Sequence, residues 1–304
     1  MKIGIIGAGK IGSALARHFR KLGHTVLIAN SRGPETLSKV VQETGATPVA
    51  ILEAAKGMDL LVIAIPMKNV PSLPKDLLFD LPATSPIIDT GNYYPLRDGV
   101  INEIKGGMVE SEWTSHVLGR PVIKAFNNIT ADSLVHKGQP KGSKSRIALP
   151  VSGDDANSKQ LVMALLDNMG FDAIDAGPLS ESWHYQPGTP AYGPDPTIHQ
   201  LPALLQRAKR DKAAGNRDRA ARIMAKLPPD FPPQDSCGSR GFPLVWMHWI
   251  REVGLRCYVW VSRLCDDYAR VWQTSRYGLS MVRLSLGGAA AICRVTKYLV
   301  DPSI

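Results

Sequence analysis

Short apolar runs alternate with amphipathic or polar stretches through the first half of the chain. The runs occupy residues 2–6, 25–29, 60–65, 86–89 and 122–126. The run at 60–65 is apolar on both faces, as expected of a central strand in a parallel sheet. The alternation predicts an α/β fold: a Rossmann-type, doubly wound, mostly parallel sheet with a small α/β C-terminal addition.

Helix signals lie between these runs. Helices are predicted at residues 13–22, 34–44, 51–56, 110–117 and 157–169. Pro34 suits a first helical turn, and Gly45 is placed to end the same helix. Asp154 is predicted to cap the last of these helices, because its carboxylate can accept hydrogen bonds from free backbone N–H groups.

The turn after the first strand is the strongest motif in the chain. It reads Gly7-Ala8-Gly9-Lys10-Ile11-Gly12. In this setting Gly7 permits the tight turn, Gly9 lets a pyrophosphate approach the backbone, and Gly12 lets the helix pack against the sheet. The free N–H groups of a helix beginning near Lys10 suit phosphates. The motif predicts dinucleotide binding, and a purely structural glycine turn is the alternative.

The end of the second strand indicates which dinucleotide binds. An NAD site usually carries an acidic residue there, for the ribose 2′-hydroxyl. This chain reads Asn30-Ser31-Arg32-Gly33 instead, and its first acid is Glu35. A hydroxyl beside a guanidinium offers charge-assisted hydrogen bonds to a 2′-phosphate. Ser31 and Arg32 therefore predict NADP(H), unless Arg32 is only a solvated surface charge.

Residues after the later strands are candidates for the same ligand, because the carboxyl ends of parallel strands meet at one rim. Ile65, Pro66 and Met67 are expected on the ribose and nicotinamide side, although Ile65 could equally belong to the core. Ala125 and Asn127 are expected to reach the same cofactor.

The loop after the run at 86–89 leaves two interpretations open. Asp89, Asn92, Tyr93 and Tyr94 offer a carboxylate, an amide and two phenols to a ring system. The same residues also suit a Gly-Asn turn with aromatic packing.

Composition adds few constraints. The chain has 304 residues, 44% of them apolar, and a formal charge of +9. An anionic cofactor and substrate explain part of that charge, and no basic run interleaved with aromatics occurs in the first half. No apolar stretch reaches the roughly 18 residues of a membrane span, and no signal peptide is visible. We expect a cytoplasmic protein with no nucleic-acid or membrane partner.

The four cysteines all lie in the last quarter of the chain. They are Cys237, Cys257, Cys265 and Cys293. None has a His, Cys or acidic neighbour at the spacing of a zinc site, so no metal is predicted.

Several short motifs occur together and in order. They are the glycine turn, Asn30-Ser31-Arg32, Ala64-Ile65-Pro66, Ala125-Phe126-Asn127-Asn128-Ile129, Val151-Ser152-Gly153-Asp154-Asp155 and Asp175-Ala176-Gly177-Pro178-Leu179. The set resembles the coenzyme F420-dependent NADP oxidoreductases and their bacterial relatives, a family that also resembles the reductase domain of the STEAP metalloreductases. The resemblance runs from residue 1 to about 185, and more loosely to about 234.

The resemblance implies NADP(H) binding and hydride transfer between nicotinamide and a deazaflavin (F420) or flavin acceptor. The residues matched to cofactor contacts are Ala8, Gly9, Lys10, Ile11 and Gly12 for the pyrophosphate, Ser31 and Arg32 for the 2′-phosphate, and Ile65, Pro66 and Ala125 for the nicotinamide end. The sequence departs from the family at Ala8, where archaeal members can offer a hydroxyl, and after Arg32, where no Lys follows closely. We expect a small-molecule redox partner and a homodimer.

No catalytic side chain is predicted, because hydride transfer between stacked rings depends on distance, orientation and exclusion of water. His116 and His184 are the candidates for acid–base chemistry, and both are interpreted as structural.

The predicted domain organisation has three parts. Residues 1–140 form the NADP-binding Rossmann domain, and residues 141–234 form a small α/β and helical addition that covers the cofactor cleft. Residues 235–304 contain eight Arg, one Lys, all four Cys and four of the six Trp. This composition is typical of a GC-rich gene read in a shifted frame, so our hypothesis is a non-homologous or frame-shifted tail. An amphipathic extension for dimerisation or membrane contact is the alternative.

Three other functions fit parts of the pattern. They are a non-catalytic NADP-binding sensor or scaffold, a ferric or flavin reductase that does not use F420, and a β-hydroxyacid dehydrogenase. The last requires a long helical domain with a catalytic Lys, which residues 186–304 do not supply convincingly.

Overall fold

The computed structural model describes residues 1–225, 256–260, 268–275 and 278–285. The chain divides into two compact units, Met1–Ser236 and Cys237–Ile304.

The first unit is built on a six-stranded sheet in which every pairing is parallel. Its strands are β1 (Lys2–Ile6), β2 (Thr25–Ala29), β3 (Thr47–Pro48), β4 (Leu60–Ile63), β5 (Ile87–Asp89) and β6 (Ile123–Lys124). The order β3-β2-β1-β4-β5-β6 reverses direction between β1 and β4. This is the doubly wound Rossmann arrangement, and it confirms the predicted fold class.

Helices of the same unit lie between the strands and after them. Its α-helices are α1 (Lys10–Lys21), α2 (Ser38–Thr44), α3 (Pro95–Asp98), α4 (Asn102–Lys105), α5 (Glu110–Leu118), α6 (Ala131–His136), α7 (Ala156–Asn168), α8 (Leu201–Gln206) and α9 (Arg210–Met224). Short 3₁₀ helices span Pro34–Leu37, Met67–Ser72 and Leu179–Tyr185. In the part of the chain that the structure describes, no helix is long and apolar enough to cross a membrane.

Two apolar clusters cover the two faces of the main sheet. Ile5 contributes to the cluster that contains Leu15 and Phe19 of α1. Its neighbour Ile6 contributes to the opposite cluster, with Leu77 and other buried residues. Successive strand residues point to opposite faces, so each central strand feeds both clusters. Each fully buried side chain of this kind stabilises the fold by roughly 1.5–3 kcal/mol.

A small α/β addition follows the main sheet. In it, β7 (Ala148–Val151) and β8 (Asp172–Asp175) pair in parallel and are connected by α7. Ser152, directly after β7, forms an antiparallel bridge with Lys124 of β6. The addition therefore attaches to the β6 edge of the main sheet.

Three predictions of local structure were wrong, and one short strand was not predicted. Residues 51–57 form successive turns, not a helix, and β3 was missed because it has only two residues. The strand expected at 122–126 is short, because Phe126 takes a left-handed φ of 63° that ends it. Asp155, not Asp154, caps α7: its Oδ1 accepts from the Ser158 backbone N–H at 2.7 Å. The Asp154 carboxylate instead accepts from Leu179 N at 3.0 Å.

The second unit contains an antiparallel sheet of β9 (Arg256–Trp260), β10 (Tyr268–Ser275) and β11 (Gly278–Ser285), in the order β11-β10-β9. The hypothesis of a non-homologous or frame-shifted tail stays a prediction. The side chains of the four cysteines lie outside the described part of the chain.

Candidate functional site

The glycine turn connects β1 to α1, and each of its glycines has a separate steric reason. Gly7 has a φ of 115°, and a Cβ there would lie 2.2 Å from the Ala64 carbonyl oxygen. A Cβ on Gly12 would lie 1.8 Å from the Gly7 carbonyl oxygen. Neither position can hold a side chain without moving the backbone. The expected roles of these two glycines in the tight turn and in helix packing are consistent with this geometry.

Gly9 differs from the other two glycines because its surroundings are open. A Cβ on Gly9 would meet no described atom within 4 Å. Gly9 is also the N-cap residue of α1, and no side chain from the described residues caps that helix. The start of α1 therefore presents backbone N–H groups at an open surface, which fits a pyrophosphate.

The remaining turn residues lie around this opening. Ala8 is half-buried, and its carbonyl accepts a hydrogen bond from Ser13 Oγ at 3.3 Å. Lys10 is exposed and Ile11 is half-buried. The α1 first turn contains no acidic side chain that would repel an anion.

Backbone hydrogen bonds join the residues that follow neighbouring strands into one rim. The bonds are Gly7 N to Ala29 O at 2.8 Å, Ala64 N to Ile6 O at 2.8 Å, Thr90 N to Ile63 O at 3.2 Å and Ala125 N to Asp89 O at 3.3 Å. The candidate residues after β1, β2, β4 and β6 therefore lie along a single edge of the sheet. This is the edge where doubly wound sheets bind ligands.

The turn after β2 holds the two candidate 2′-phosphate residues at the surface. Ser31 and Arg32 are both exposed. Asn30 Oδ1 accepts from the Arg32 backbone N–H at 2.9 Å, and Asn30 Nδ2 donates to Thr36 Oγ1 at 2.9 Å. This Asx turn fixes the backbone, and among the described residues the Arg32 guanidinium has no ion-pair partner. The turn can therefore offer its guanidinium to an anion.

Glu35 brings a carboxylate close to the same turn. A Cβ on Gly33 would lie 2.3 Å from Glu35 Oε1, so the carboxylate is folded against the Gly33 backbone. A negative charge there opposes binding of a 2′-phosphate nearby.

The residues expected at the nicotinamide end are divided between the rim and the core. Ile65 and Pro66 are half-buried at the rim after β4. Ala125 and Asn127 are buried after β6, with 0% and 3% of their surface exposed. Met67 was expected at the cofactor, but it is wholly buried in a cluster with Tyr93 and Trp113. The structure therefore corrects that expectation: Met67 is a core residue.

An amide pair joins the loops after β5 and β6. Asn92 Nδ2 donates to the Asn127 carbonyl at 2.9 Å, and Asn127 Nδ2 donates to Asn92 Oδ1 at 3.2 Å. Asn127 Nδ2 also donates to the Tyr185 carbonyl at 3.0 Å. Asn127 Oδ1 is buried and has no partner among the described residues.

The comparisons with known proteins agree with this geometry. Residues 2–93 match the family described as NADP oxidoreductase, coenzyme F420-dependent. The structure of the hypothetical protein SMa0349 from Sinorhizobium meliloti is 30% identical, covers 61% of this chain and 89% of its own, and has a TM-score of 0.52. The chain belongs to the F420-dependent NADP oxidoreductase family. It is thus a member of a family of NAD(P)-dependent oxidoreductases.

Two further relatives of this chain have more limited matches. A candidate F420-dependent NADP reductase from Arthrobacter sp. FB24 is 25% identical, covers 60% of this chain and 87% of its own, and has a TM-score of 0.49. YjhV of Escherichia coli K12 is 42% identical over 57 residues, which are 19% of this chain and 42% of YjhV. The match therefore spans less than half the length of that curated relative.

Sequence reasoning missed two buried ionisable side chains behind the rim. Lys124 Nζ lies 3.0 Å from Asp89 Oδ2, with side chains 1% and 2% exposed. Lys124 Nζ also donates to the Gly91 carbonyl, and Asp89 Oδ1 accepts from Gly91 N. The Asp89 carboxylate is therefore occupied by the Lys124 and Gly91 contacts, and the two interpretations of the rest of its loop stay open. Lys124 was missed because its partner, Asp89, lies on another strand, although a Lys inside an otherwise apolar run can indicate a buried charge.

Glu110 is the second missed group. It lies in the first turn of α5, only 2% exposed, and its Oε2 accepts from Tyr93 N at 3.0 Å. Burial raises the pKa of Glu110 to about 7, against the lowering effects of Lys124 and Arg217. A carboxyl with this pKa changes its protonation near neutral pH.

The two candidate histidines do not belong to the glycine turn or to the amide pair. His116 is exposed in the last turn of α5. His184 stacks on Trp183 at 3.8 Å, and its Nδ1 lies 2.9 Å from the Glu181 carbonyl oxygen. Their interpretation as structural residues stays a prediction. Among the described residues, no group of three or more His, Cys, Asp or Glu side chains could hold a metal ion.

Proposed function

We propose that this protein is an NADP(H)-dependent oxidoreductase that transfers hydride between the nicotinamide and a deazaflavin (F420) or flavin-type acceptor. The observation that carries the proposal is the open backbone at Gly9, at the start of α1, on the same rim as the exposed Ser31 and Arg32. Membership of the family supports the assignment of the chemistry.

Each part of the rim has a distinct role in the proposal. The α1 N-terminus binds the pyrophosphate through backbone N–H groups, and Arg32 with Ser31 binds the 2′-phosphate. Ile65 and Pro66, both half-buried at the rim, provide apolar contact for the nicotinamide. Ala125 is wholly buried and supports the rim from within the fold. Asn127 holds the loop after β6 in place through its hydrogen bonds to Asn92 and Tyr185. When bound, the dinucleotide supplies the hydride, and these residues fix its position and exclude water.

The acceptor, the oligomeric state and the cellular location are predicted from the sequence alone. A small-molecule redox partner, a homodimer and a cytoplasmic location stay predictions. The preference for NADP(H) over NAD(H) rests on Ser31 and Arg32, because each offers a donor that only a 2′-phosphate would use fully.

Stopped-flow absorbance tests the proposal with NADPH and four acceptors: F420, FMN, FAD and ferric citrate. We expect rapid oxidation of NADPH by at least one flavin-type acceptor. Arg32→Ala is expected to weaken NADPH binding about tenfold or more, because one charge-assisted hydrogen bond contributes about 1.5–3 kcal/mol. NADH binding should not change.

Lys21→Ala is the matched control, since it removes one exposed positive charge at the opposite end of α1. It should leave both affinities unchanged. Equal weakening of NADPH and NADH binding by Arg32→Ala would show that Arg32 does not read the 2′-phosphate. Tight NADPH binding without oxidation by any acceptor would favour a sensor or scaffold.

A further inference from the structure

The hydroxyls of two tyrosines from distant parts of the chain form a hydrogen bond with each other. They belong to Tyr94, in the loop after β5, and to Tyr192, in the segment of residues 186–200. Both side chains are half-buried, and neither hydroxyl has another hydrogen-bond partner among the described residues. Two hydroxyls carry two protons, and only one of these lies in the bond between the pair. The second proton, and lone pairs on both oxygens, are left for a ligand or for water.

Contacts on both sides of Tyr192 fix it at the end of β6. Asn128 follows β6, and its Nδ2 donates to the Ala191 carbonyl at 3.2 Å. The Asn128 carbonyl accepts from Gly193 N at 2.9 Å. The two residues that flank Tyr192 are therefore bonded to the same residue of the rim.

Tyr94 is held by contacts that do not use its hydroxyl. Its backbone N–H donates to Asp98 Oδ2 at 3.0 Å, and the Arg97 guanidinium lies 5.2 Å from the Tyr94 ring centroid. Arg97 is itself fixed, because its Nη2 lies 2.8 Å from Asp98 Oδ2. These contacts position the ring, so the hydroxyl is not required to build the loop.

The tyrosine pair lies beyond the expected nicotinamide position along the rim. The strands follow one another in the order β1-β4-β5-β6, with the glycine turn after β1 and with Ile65 and Pro66 after β4. A coenzyme with its pyrophosphate at β1 and its nicotinamide at β4 leaves the ends of β5 and β6 for the second reactant. Tyr94 and Tyr192 are attached to these two ends.

The pair offers a neutral donor and a neutral acceptor side by side. Burial raises the pKa of the Tyr94 phenol and holds the pKa of the Tyr192 phenol well above its usual value. One hydroxyl donates to the other and can accept from a ligand N–H. The second hydroxyl accepts from the first and can donate to a ligand C=O. A ligand edge with an N–H beside a C=O therefore satisfies every group of the pair, whereas a carboxylate edge offers no donor.

We propose that the Tyr94–Tyr192 hydroxyl pair binds the pyrimidinedione edge of a flavin or deazaflavin acceptor, through the ring N3–H and an adjacent carbonyl. This inference rests on the proposed function. F420, FMN and FAD all carry that edge, and ferric citrate does not. The pair thus selects flavin-type acceptors as a class and does not distinguish among the three.

The test is equilibrium binding of oxidised FMN and F420, and of the derivative of each that carries a methyl group on N3. Flavin fluorescence measures the affinities in the presence of saturating NADP⁺, so the readout does not depend on turnover. The wild type should bind each N3-methyl derivative about tenfold or more weakly than its parent, because the ring N–H is lost. Tyr94→Phe and Tyr192→Phe should each weaken binding of the parent compounds about three- to tenfold.

The double variant Tyr94→Phe/Tyr192→Phe gives the sharpest result. Because it has neither hydroxyl, it should bind each parent and its N3-methyl derivative with nearly equal affinity. NADPH affinity, measured for every variant, should stay within about twofold of wild type and report that the fold is intact.

Tyr185→Phe is the matched control, because it is the same chemical change in a tyrosine whose hydroxyl is used within the fold. The Tyr185 hydroxyl is buried and donates to the Lys124 carbonyl at 3.2 Å. This variant should keep the wild-type affinities for both parents and the wild-type discrimination against the N3-methyl derivatives.

The outcomes separate this site from the proposed function. Equal wild-type affinities for parent and N3-methyl derivative, or discrimination that persists in the double variant, would overturn the tyrosine site while oxidation of NADPH by a flavin still supports the proposed function. A wild type that binds neither FMN nor F420 would overturn the site as well. Absence of NADPH oxidation by all four acceptors would overturn the proposed function and, with it, the assignment of this site to an acceptor.

Discussion

The two halves of the rim are built in different ways. The glycine-turn half, residues 7–12 and 30–35, presents backbone groups and exposed side chains. The network half is built from buried and half-buried residues whose hydrogen bonds join different elements of the fold. Its members are Asp89, Asn92, Tyr94, Glu110, Lys124, Asn127, Tyr185 and Tyr192.

The separation along the sequence between the bonded residues explains the difference. In the glycine-turn half, the decisive bond of the Asx turn joins residues two positions apart. In the network half, Asn127 bonds to Tyr185 across 58 positions, and Tyr94 bonds to Tyr192 across 98. A local motif can encode the first kind of site, whereas the second exists only after the chain has folded. We therefore expect mutations in the network half to affect mainly stability, and mutations at the exposed positions of the glycine-turn half to affect mainly binding.

The largest effect is expected at the buried ion pair. Lys124→Met leaves the Asp89 carboxylate buried without its cation, which should lower the free energy of unfolding by about 3–5 kcal/mol. Lys141→Met is the control, because Lys141 pairs with Asp167 at 3.1 Å but is 82% exposed. Lys141→Met should lower the free energy of unfolding by less than about 1 kcal/mol. Urea unfolding measures the loss of stability in both variants. Equal losses would show that burial does not determine how much an ion pair contributes to stability.

The contribution of Glu110 to the free energy of unfolding should change with pH. Its pKa rises from an ordinary 4.5 to about 7 in the folded state, so between these values the folded chain keeps a proton that the unfolded chain loses. Stability from this group therefore falls as pH rises through that window, by up to about 3 kcal/mol. The free energy of unfolding of Glu110→Gln, measured relative to that of the wild type, should therefore increase by that amount between about pH 4 and about pH 8. Urea unfolding that shows a constant difference between the two proteins would refute the prediction.

A glycine comparison separates folding from binding in the glycine-turn half. Gly12→Ala should destabilise the fold by about 1–3 kcal/mol, because its Cβ would collide with the Gly7 carbonyl. Gly9→Ala should change stability by no more than about 1 kcal/mol, since its Cβ meets open space, yet weaken NADPH binding about tenfold or more. Calorimetric titration and thermal unfolding measure these effects.

Gly215→Ala is the control for the glycine comparison, because its Cβ would also meet nothing within 4 Å among the described residues. It lies within α9 and should leave NADPH affinity unchanged. Unaltered NADPH binding by Gly9→Ala would place the pyrophosphate elsewhere.

The smallest effect is expected at Glu35. Removing its charge with Glu35→Gln should tighten NADPH binding about two- to fivefold and leave NADH binding unchanged or weaker, since a surface charge interaction contributes about 0.2–1 kcal/mol. Glu53→Gln is the control, because Glu53 is exposed before β4, at the opposite edge of the sheet. An unchanged ratio of NADPH to NADH affinity in Glu35→Gln would mean that the Glu35 carboxylate moves away when the coenzyme binds.

Sequence reasoning succeeded where one segment determines its own structure. The run at 25–29 became β2, and the glycine turn has the geometry expected of its three glycines. It failed at Met67, whose burial depends on Trp113 far along the chain, and at the capping of α7, where adjacent Asp residues compete. Short helices such as α3 and α4 were not predicted, because four residues carry no helical periodicity. Lys124 and Glu110 were missed because their partners come from other elements.

The most direct test of hydride transfer is single-turnover oxidation of NADPH deuterated at the transferred C4 position, in the presence of F420, FMN, FAD or ferric citrate. Our account predicts oxidation by at least one flavin-type acceptor, slowed severalfold by deuterium because the C4–H bond breaks in the measured step. Tight NADPH binding with no oxidation by any of the four would contradict it, and would show that the rim holds the coenzyme without using it.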